Sequence, residues 1–127
     1  DVGVREATPI ADLTLRSATL DASAKLFTDA STEVFAGSLV QRHETKSLGQ
    51  NAVRLRRELV ERGILVEETE TTYRMEQNYR FPNTSLAAAV VKGQHATGNE
   101  AWQTEDGSSP QAVLERWSRS LVAGVFS

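Results

Sequence analysis

The stretch Tyr79–Gly107, YRFPNTSLAAAVVKGQHATGNEAWQTEDG, decides most of what the chain can be. Asn83 sits where a helix needs an N-cap, and Thr84 to Lys92 follow as a run of mostly small apolar residues. Gly93 then supplies the left-handed stop. Leu86, Ala87, Ala88, Ala89, Val90 and Val91 are apolar nearly all round, which predicts a short helix buried against a sheet, its small side chains allowing close backbone approach. A strand is expected around Ala101 to Thr104, then a turn at Asp106 and Gly107. Beyond it, Ser109 as N-cap and Pro110 as first residue open a further helix, with Val113, Trp117 and Leu121 at i, i+4 and i+8.

Working back from that stretch, ILVEE and TYRME flank Glu70 and Thr71 and predict a β-hairpin of about five residues per strand. Before it runs the strongest helix signal, Leu48 to Arg62. Ser47 is the expected N-cap with Gln50 three residues on, Leu48, Ala52, Leu55 and Leu59 share one face, and Gly63 ends the helix. A helix, glycine stop and hairpin in that order look like the end of a winged-helix domain, but the upstream chain reads as β. LTLRS and ASAKLFTDASTEVFAGS, with a turn over Thr28 to Ser31, predict an antiparallel meander. Asp1 to Asp12 show no period and are expected to be a linker or tail. The reading is thus α+β: one domain over 13–127, with a meander, a hairpin after the first long helix, and about three helices packed on the sheet.

The totals agree. The chain has 127 residues, 39% hydrophobic and 24% charged, enough for one real core. It contains no Cys, so disulfides, zinc ribbons and a thiol nucleophile are excluded and a cytoplasmic setting is expected. No apolar run approaches the roughly 20 residues of a membrane span. The chain opens on Asp1 rather than Met, as expected of a sequence excised from a longer protein or trimmed, and any upstream domain would attach at this tail.

Phe81, Asn83, Thr84, Ser85, Ala87, Ala88, Ala89 and Gly93, then Gly98, Trp102, Asp106 and Gly107, form an ungapped pattern. It resembles the second half of a small domain of unknown function that commonly follows GIY-YIG nuclease domains, related to the accessory domain of restriction-modification adenine methylases. That family usually reads Phe-x-Ser-Pro-Ser-Ala-Ala-Ala, an apolar pair, Gly, then Asn-Gly-Trp-x-x-Trp and an Asp-Gly turn. Val34 to Ser38 matches its apolar-strand-then-Gly-Ser feature. Here Thr97 stands for the Asn and Asn99 for the first Trp, so two natural candidates for a base-reading site are replaced. The resemblance implies an upstream or partner nuclease or methylase domain, and DNA or RNA as the ligand.

The residues themselves leave several roles open. Trp102 is either a stacking platform for a base or a core ring under the Ala-rich helix, and the core reading carries more weight because large aromatics dominate small cores. Trp117 reads as packing. Eleven of the 14 basic residues are Arg, and Arg42, Lys46, Arg54, Arg56, Arg57 and Arg62 form the one candidate phosphate-binding group. Glu58 and Glu61 stand four residues on from Arg54 and Arg57, and Glu67, Glu68 and Glu70 crowd the hairpin, so a self-paired solvated face is the competing reading. The net charge of −3 also argues against a general polyanion binder. His43 and His95 have no metal-ligand spacing, Ser38 lacks a nucleophile-elbow context, and no cofactor is implied. Two functions result: a non-catalytic accessory module that positions nucleic acid through Arg42, Lys46, Arg54, Arg57, Thr97, Asn99 and Trp102, or a protein-interaction or dimerisation domain. Specific recognition is expected in the loop His95–Trp102, with Asn99 facing a concavity and Trp102 as the wall behind it.

Overall fold

The computed structural model describes residues 7–126, with side chains described through residue 121. Two antiparallel sheets and four helices make an α+β architecture, the strands largely preceding the helices. Strands β1 (Pro9–Arg16), β2 (Asp21–Phe27) and β3 (Thr32–Val34) form the expected meander, and β7 (Tyr79–Phe81) joins it outside β3. Strand β1 overlaps the expected tail, because Ile10 and Ala11 pack on the core and Leu13 and Leu15 are buried in alternation. Pro9 is tolerated at the first position of an edge strand, where its missing N–H costs no ladder bond.

The turn between β2 and β3 rests on Asp29, whose carboxylate accepts from the Ser31 hydroxyl (2.5 Å) and the Ser31 N–H (2.9 Å). Those bonds hold the Asp29 carboxyl below its usual range. Strand β4 (Leu39–Gln41) begins the second sheet, in which β6 (Thr72–Met75) lies between β4 and β5 (Leu65–Glu67). Ser38, buried at the crossing, stitches the two sheets: its hydroxyl accepts from the Ser23 N–H and donates to the Ser23 carbonyl. Strands β5 (Leu65–Glu67) and β6 (Thr72–Met75) are the predicted hairpin, with shorter strands than expected. The Thr69 hydroxyl shortens them by accepting from the N–H groups of Thr71 and Thr72 at 3.1 and 3.0 Å, which tightens the turn.

Helix α1 spans Gln50–Glu61. Its N-cap is Gly49, not Ser47, and no side chain caps it. Leu48 explains the shift: it is buried, and its N–H closes a turn onto the Thr45 carbonyl, so the chain stays non-helical until that side chain has dropped into the core. The Ser47 hydroxyl instead accepts from the His95 N–H at 3.1 Å. At the other end Gly63 (φ +74°) makes the expected stop, with Gly63 N–H donating to Val60 and Ile64 N–H to Leu59. Leu48, Ala52 and Leu59 are buried and Leu55 partly so, as the periodicity requires.

Helix α2 (Thr84–Lys92) has the predicted bounds, with Asn83 Oδ1 accepting from Leu86 N–H at 2.8 Å and Gly93 in the left-handed region. It lies between the sheets and α1, and Ala87, Ala88, Val90 and Val91 vanish from solvent. The strand expected over Ala101–Thr104 is absent. A single helical turn, α3 (Gly98–Ala101), takes its place, and only Gln103 pairs, as an isolated bridge to Thr14. Helix α4 (Pro110–Phe126) follows. Val113 is buried, Trp117 is half-buried and Leu121 is 51% exposed, so the predicted stripe packs only at its start.

Candidate functional site

The loop His95–Trp102 turns out to be built for packing. The Trp102 ring is completely buried, and its Nε1–H donates to the Thr84 carbonyl at 3.1 Å, a natural partner for an indole inside a core. It has no open face for a base. Asn99, expected to face a concavity, is committed to α4: its Oδ1 accepts from Gln111 N–H (2.9 Å) and its Nδ2 donates to the Gln111 side chain (3.0 Å). It satisfies an N-terminal N–H of that helix from outside, beside the Ser109 cap, whose hydroxyl accepts from Ala112 N–H. Thr97, at the N-cap position of α3, is exposed. It lines a polar cavity of about 400 Å³ with Lys92, His95 and Glu100.

The same contacts explain the sequence pattern. A Cβ on Gly98 would stand 1.9 Å from Thr84 Oγ1 and 2.4 Å from its Cβ, and the Gly98 N–H donates to the Ser85 hydroxyl at 3.0 Å. A Cβ on Gly93 would meet the His43 carbonyl oxygen at 2.2 Å. Asp106 accepts from the Thr104 hydroxyl and from Ser108 N–H, and these bonds hold its carboxyl down to about 2. From Phe81 to Gly107 the spacing therefore encodes how α2 and α3 interlock and how the chain turns into α4. A family model described as a domain of unknown function, DUF4357, matches residues 13–114. The chain belongs to that family. No curated protein and no solved structure matches it.

Within this DUF4357 fold the arginine group divides sharply. Arg42, expected to be a free phosphate ligand, is tied to the hairpin: it donates to the Thr69 carbonyl (3.0 Å) and the Glu67 carboxylate (3.2 Å), and its guanidinium lies 5.3 Å from the Tyr73 ring centre. Arg56 is only 2% exposed. It donates Nε to Glu44 Oε2 (2.8 Å), Nη1 to the Val90 carbonyl, and Nη2 to the carbonyls of Gln41 (2.5 Å) and Arg42 (3.0 Å). One guanidinium thus ties α1, the end of α2, β4 and the loop after β4. Arg62, not Arg54, takes Glu58 at 3.1 Å. Arg54 meets only the Asn51 side chain, and among the described residues neither it nor Arg57 nor Lys46 has a carboxylate partner. All three are exposed.

Beside them lies a groove of about 390 Å³ between α1 and β6, lined by Val53, Arg56, Arg57, Val60 and Glu61 of α1 with Glu44 and Tyr73 opposite. Val60, 41% exposed, is one of two large hydrophobics left in solvent among the described residues. Sequence reasoning missed this site. The signal for it was a second face on α1, with Val53 and Val60 seven residues apart and Arg56 and Arg57 between them, one strip around from the leucine face.

His43 and His95 lie on segments joined by two hydrogen bonds, Thr45 N–H to the Gly93 carbonyl and His95 N–H to the Ser47 hydroxyl. Among the described residues no group of three His, Asp or Glu is placed to hold a metal ion, and no helix is long and apolar enough to cross a membrane.

Proposed function

We propose that the chain is a non-catalytic accessory module that positions nucleic acid for a linked or partner nuclease or methylase domain. One observation carries the reading: among the described residues Lys46, Arg54 and Arg57 stand exposed on α1 and its lead-in without carboxylate partners, while most other described arginines are ion-paired. Cations left unpaired on one helix offer phosphate contacts that position a backbone without reading its sequence. The resemblance to a domain that follows GIY-YIG nucleases supports the choice of partner. Arg42, Asn99 and Trp102 drop out of the binding set because each is committed internally, and Thr97 stays at its margin.

A gel-shift titration of labelled duplex and single-stranded DNA over a salt series tests the reading. Affinity falls as salt rises, because bound phosphates release counterions, and each of Lys46→Ala, Arg54→Ala and Arg57→Ala lowers the slope by about one. Absence of any shift at low salt would favour the second reading, a protein-interaction or dimerisation domain. That reading draws on the apolar side of α4, where Leu121 is exposed and Trp117 half-covered.

A further inference from the structure

We infer that the groove between α1 and β6 takes one unstacked nucleotide, its base against Val53, Val60 and Tyr73 and its phosphate on Arg57; the inference rests on the nucleic-acid reading above. At about 390 Å³ the groove falls in the size range of small-ligand sites and combines apolar walls with a few polar groups. Its aromatic wall is fixed: the guanidinium groups of Arg42 and Arg56 stand 5.3 and 5.9 Å from the Tyr73 ring centre. Base-on-aromatic contact needs such a preset ring and tolerates any base.

Glu44 adds selectivity. Arg56 holds its Oε2 at 2.8 Å, and the Glu44 side chain is 39% exposed, which leaves Oε1 to accept from a ligand. An ionised carboxylate accepts only, so it suits bases with an exocyclic amino group, as in adenine and cytosine. Thymine's one base-edge donor is flanked by two carbonyl oxygens that would face the carboxylate. Charge also sets the direction of the strand. Arg57 and Arg54 are three residues apart on neighbouring turns of α1, and Lys46 lies just before that helix, so a backbone leaving the groove toward the helix N-terminus meets successive cations. The opposite direction meets Glu61 and the acidic hairpin.

The experiment uses the whole chain with ten-nucleotide oligo-dC, oligo-dA and oligo-dT and a blunt duplex of mixed sequence, at low salt, by fluorescence anisotropy. Val60→Gln puts a larger neutral polar group on the groove wall at a solvent-exposed position. The expected result is that oligo-dC and oligo-dA bind at least about fivefold tighter than oligo-dT, as one hydrogen bond to a charged group provides. Val60→Gln weakens them about tenfold and leaves duplex binding unchanged. Equal affinity for the three oligonucleotides, or single-strand binding indifferent to Val60→Gln, overturns the groove site while duplex binding keeps the broader reading alive. No binding to any of the four overturns both.

Discussion

The stretches 79–107 and 42–61 use the same kinds of side chain to opposite ends. In the first, the distinctive residues are spent on contacts within the chain: Trp102 on the Thr84 carbonyl, Asn99 on Gln111, Gly98 against Thr84, Asp106 on its own turn. In the second, Arg42 and Arg56 are spent, and the Arg56 clamp leaves Glu44, Arg57, Val60 and Tyr73 around an open groove with Lys46 and Arg54 beside it. Patterned spacing in a small domain reports first on packing, because close backbone approach and buried N–H groups tolerate few residue types. A binding face with looser demands leaves a fainter trace.

The sharpest way to break this contrast is Arg56→Ala. It strands the Gln41, Arg42 and Val90 carbonyls and the Glu44 carboxylate in one step, and the expected loss is on the order of 3–5 kcal/mol by urea denaturation. A loss below about 1 kcal/mol would make Arg56 another surface cation and dissolve the distinction. Next, Leu59→Ala should cost roughly 2–5 kcal/mol as a buried truncation, while Arg57→Ala two residues away should shift stability by less than about 0.5 kcal/mol. Equal damage from both would mean that α1 has no free face.

Asn99→Ala separates the two stretches functionally. Losing its support of the α4 N-terminus should cost about 0.5–2 kcal/mol and leave nucleic-acid affinity unchanged, as measured on the same oligonucleotides. Selective loss of binding would return recognition to the loop 95–102.

The smallest effect concerns Asp106. Its folded carboxyl is held at about 2, below the ordinary 3.8. A depressed carboxyl stabilises the fold above the unfolded value, and the contribution disappears as pH falls through the folded one. The stability gap between the protein and Asp106→Asn should therefore be constant near neutrality and close between about pH 4 and pH 2, with nucleic-acid binding at neutral pH untouched. A gap that widens on acidification would contradict the hydrogen bonds assigned to that turn.

How much of this was legible in the chain differs by element. The bounds of α2 followed from Asn83 and Gly93, because a side-chain cap and a left-handed residue are local requirements. The meander and hairpin followed from alternation and turn residues. The start of α1 did not, because Leu48 answers to a core assembled from distant strands, and the turn α3 did not, because its reason is Gly98 lying against Thr84, fourteen positions earlier. Of the candidate site residues, Lys46, Arg54 and Arg57 emerged as exposed and, among the described residues, without carboxylate partners, while the fates of Arg42, Asn99 and Trp102 depended on partners that only tertiary contact supplies. The buried state of Arg56 was out of reach for the same reason: an arginine between two others on a helix gives no sign that three carbonyls converge on it.

The isolated pairing of Thr14 with Gln103 carries a consequence for life in a crowded solution. Strand β1 is the outer strand of its sheet, and an outer strand offers a row of unsatisfied peptide groups to any other chain in extended form. Here the Thr14 N–H and carbonyl are both taken by Gln103, at 2.9 and 3.1 Å, while Pro9 has no N–H to offer and Asp12 sets a charge on the strand. The segment after Trp102 thus shields the rim of the meander from fibril-like stacking. A Gln103→Pro substitution, which removes one of those bonds, is expected to reveal itself less in melting than in the concentration at which the protein stays in solution.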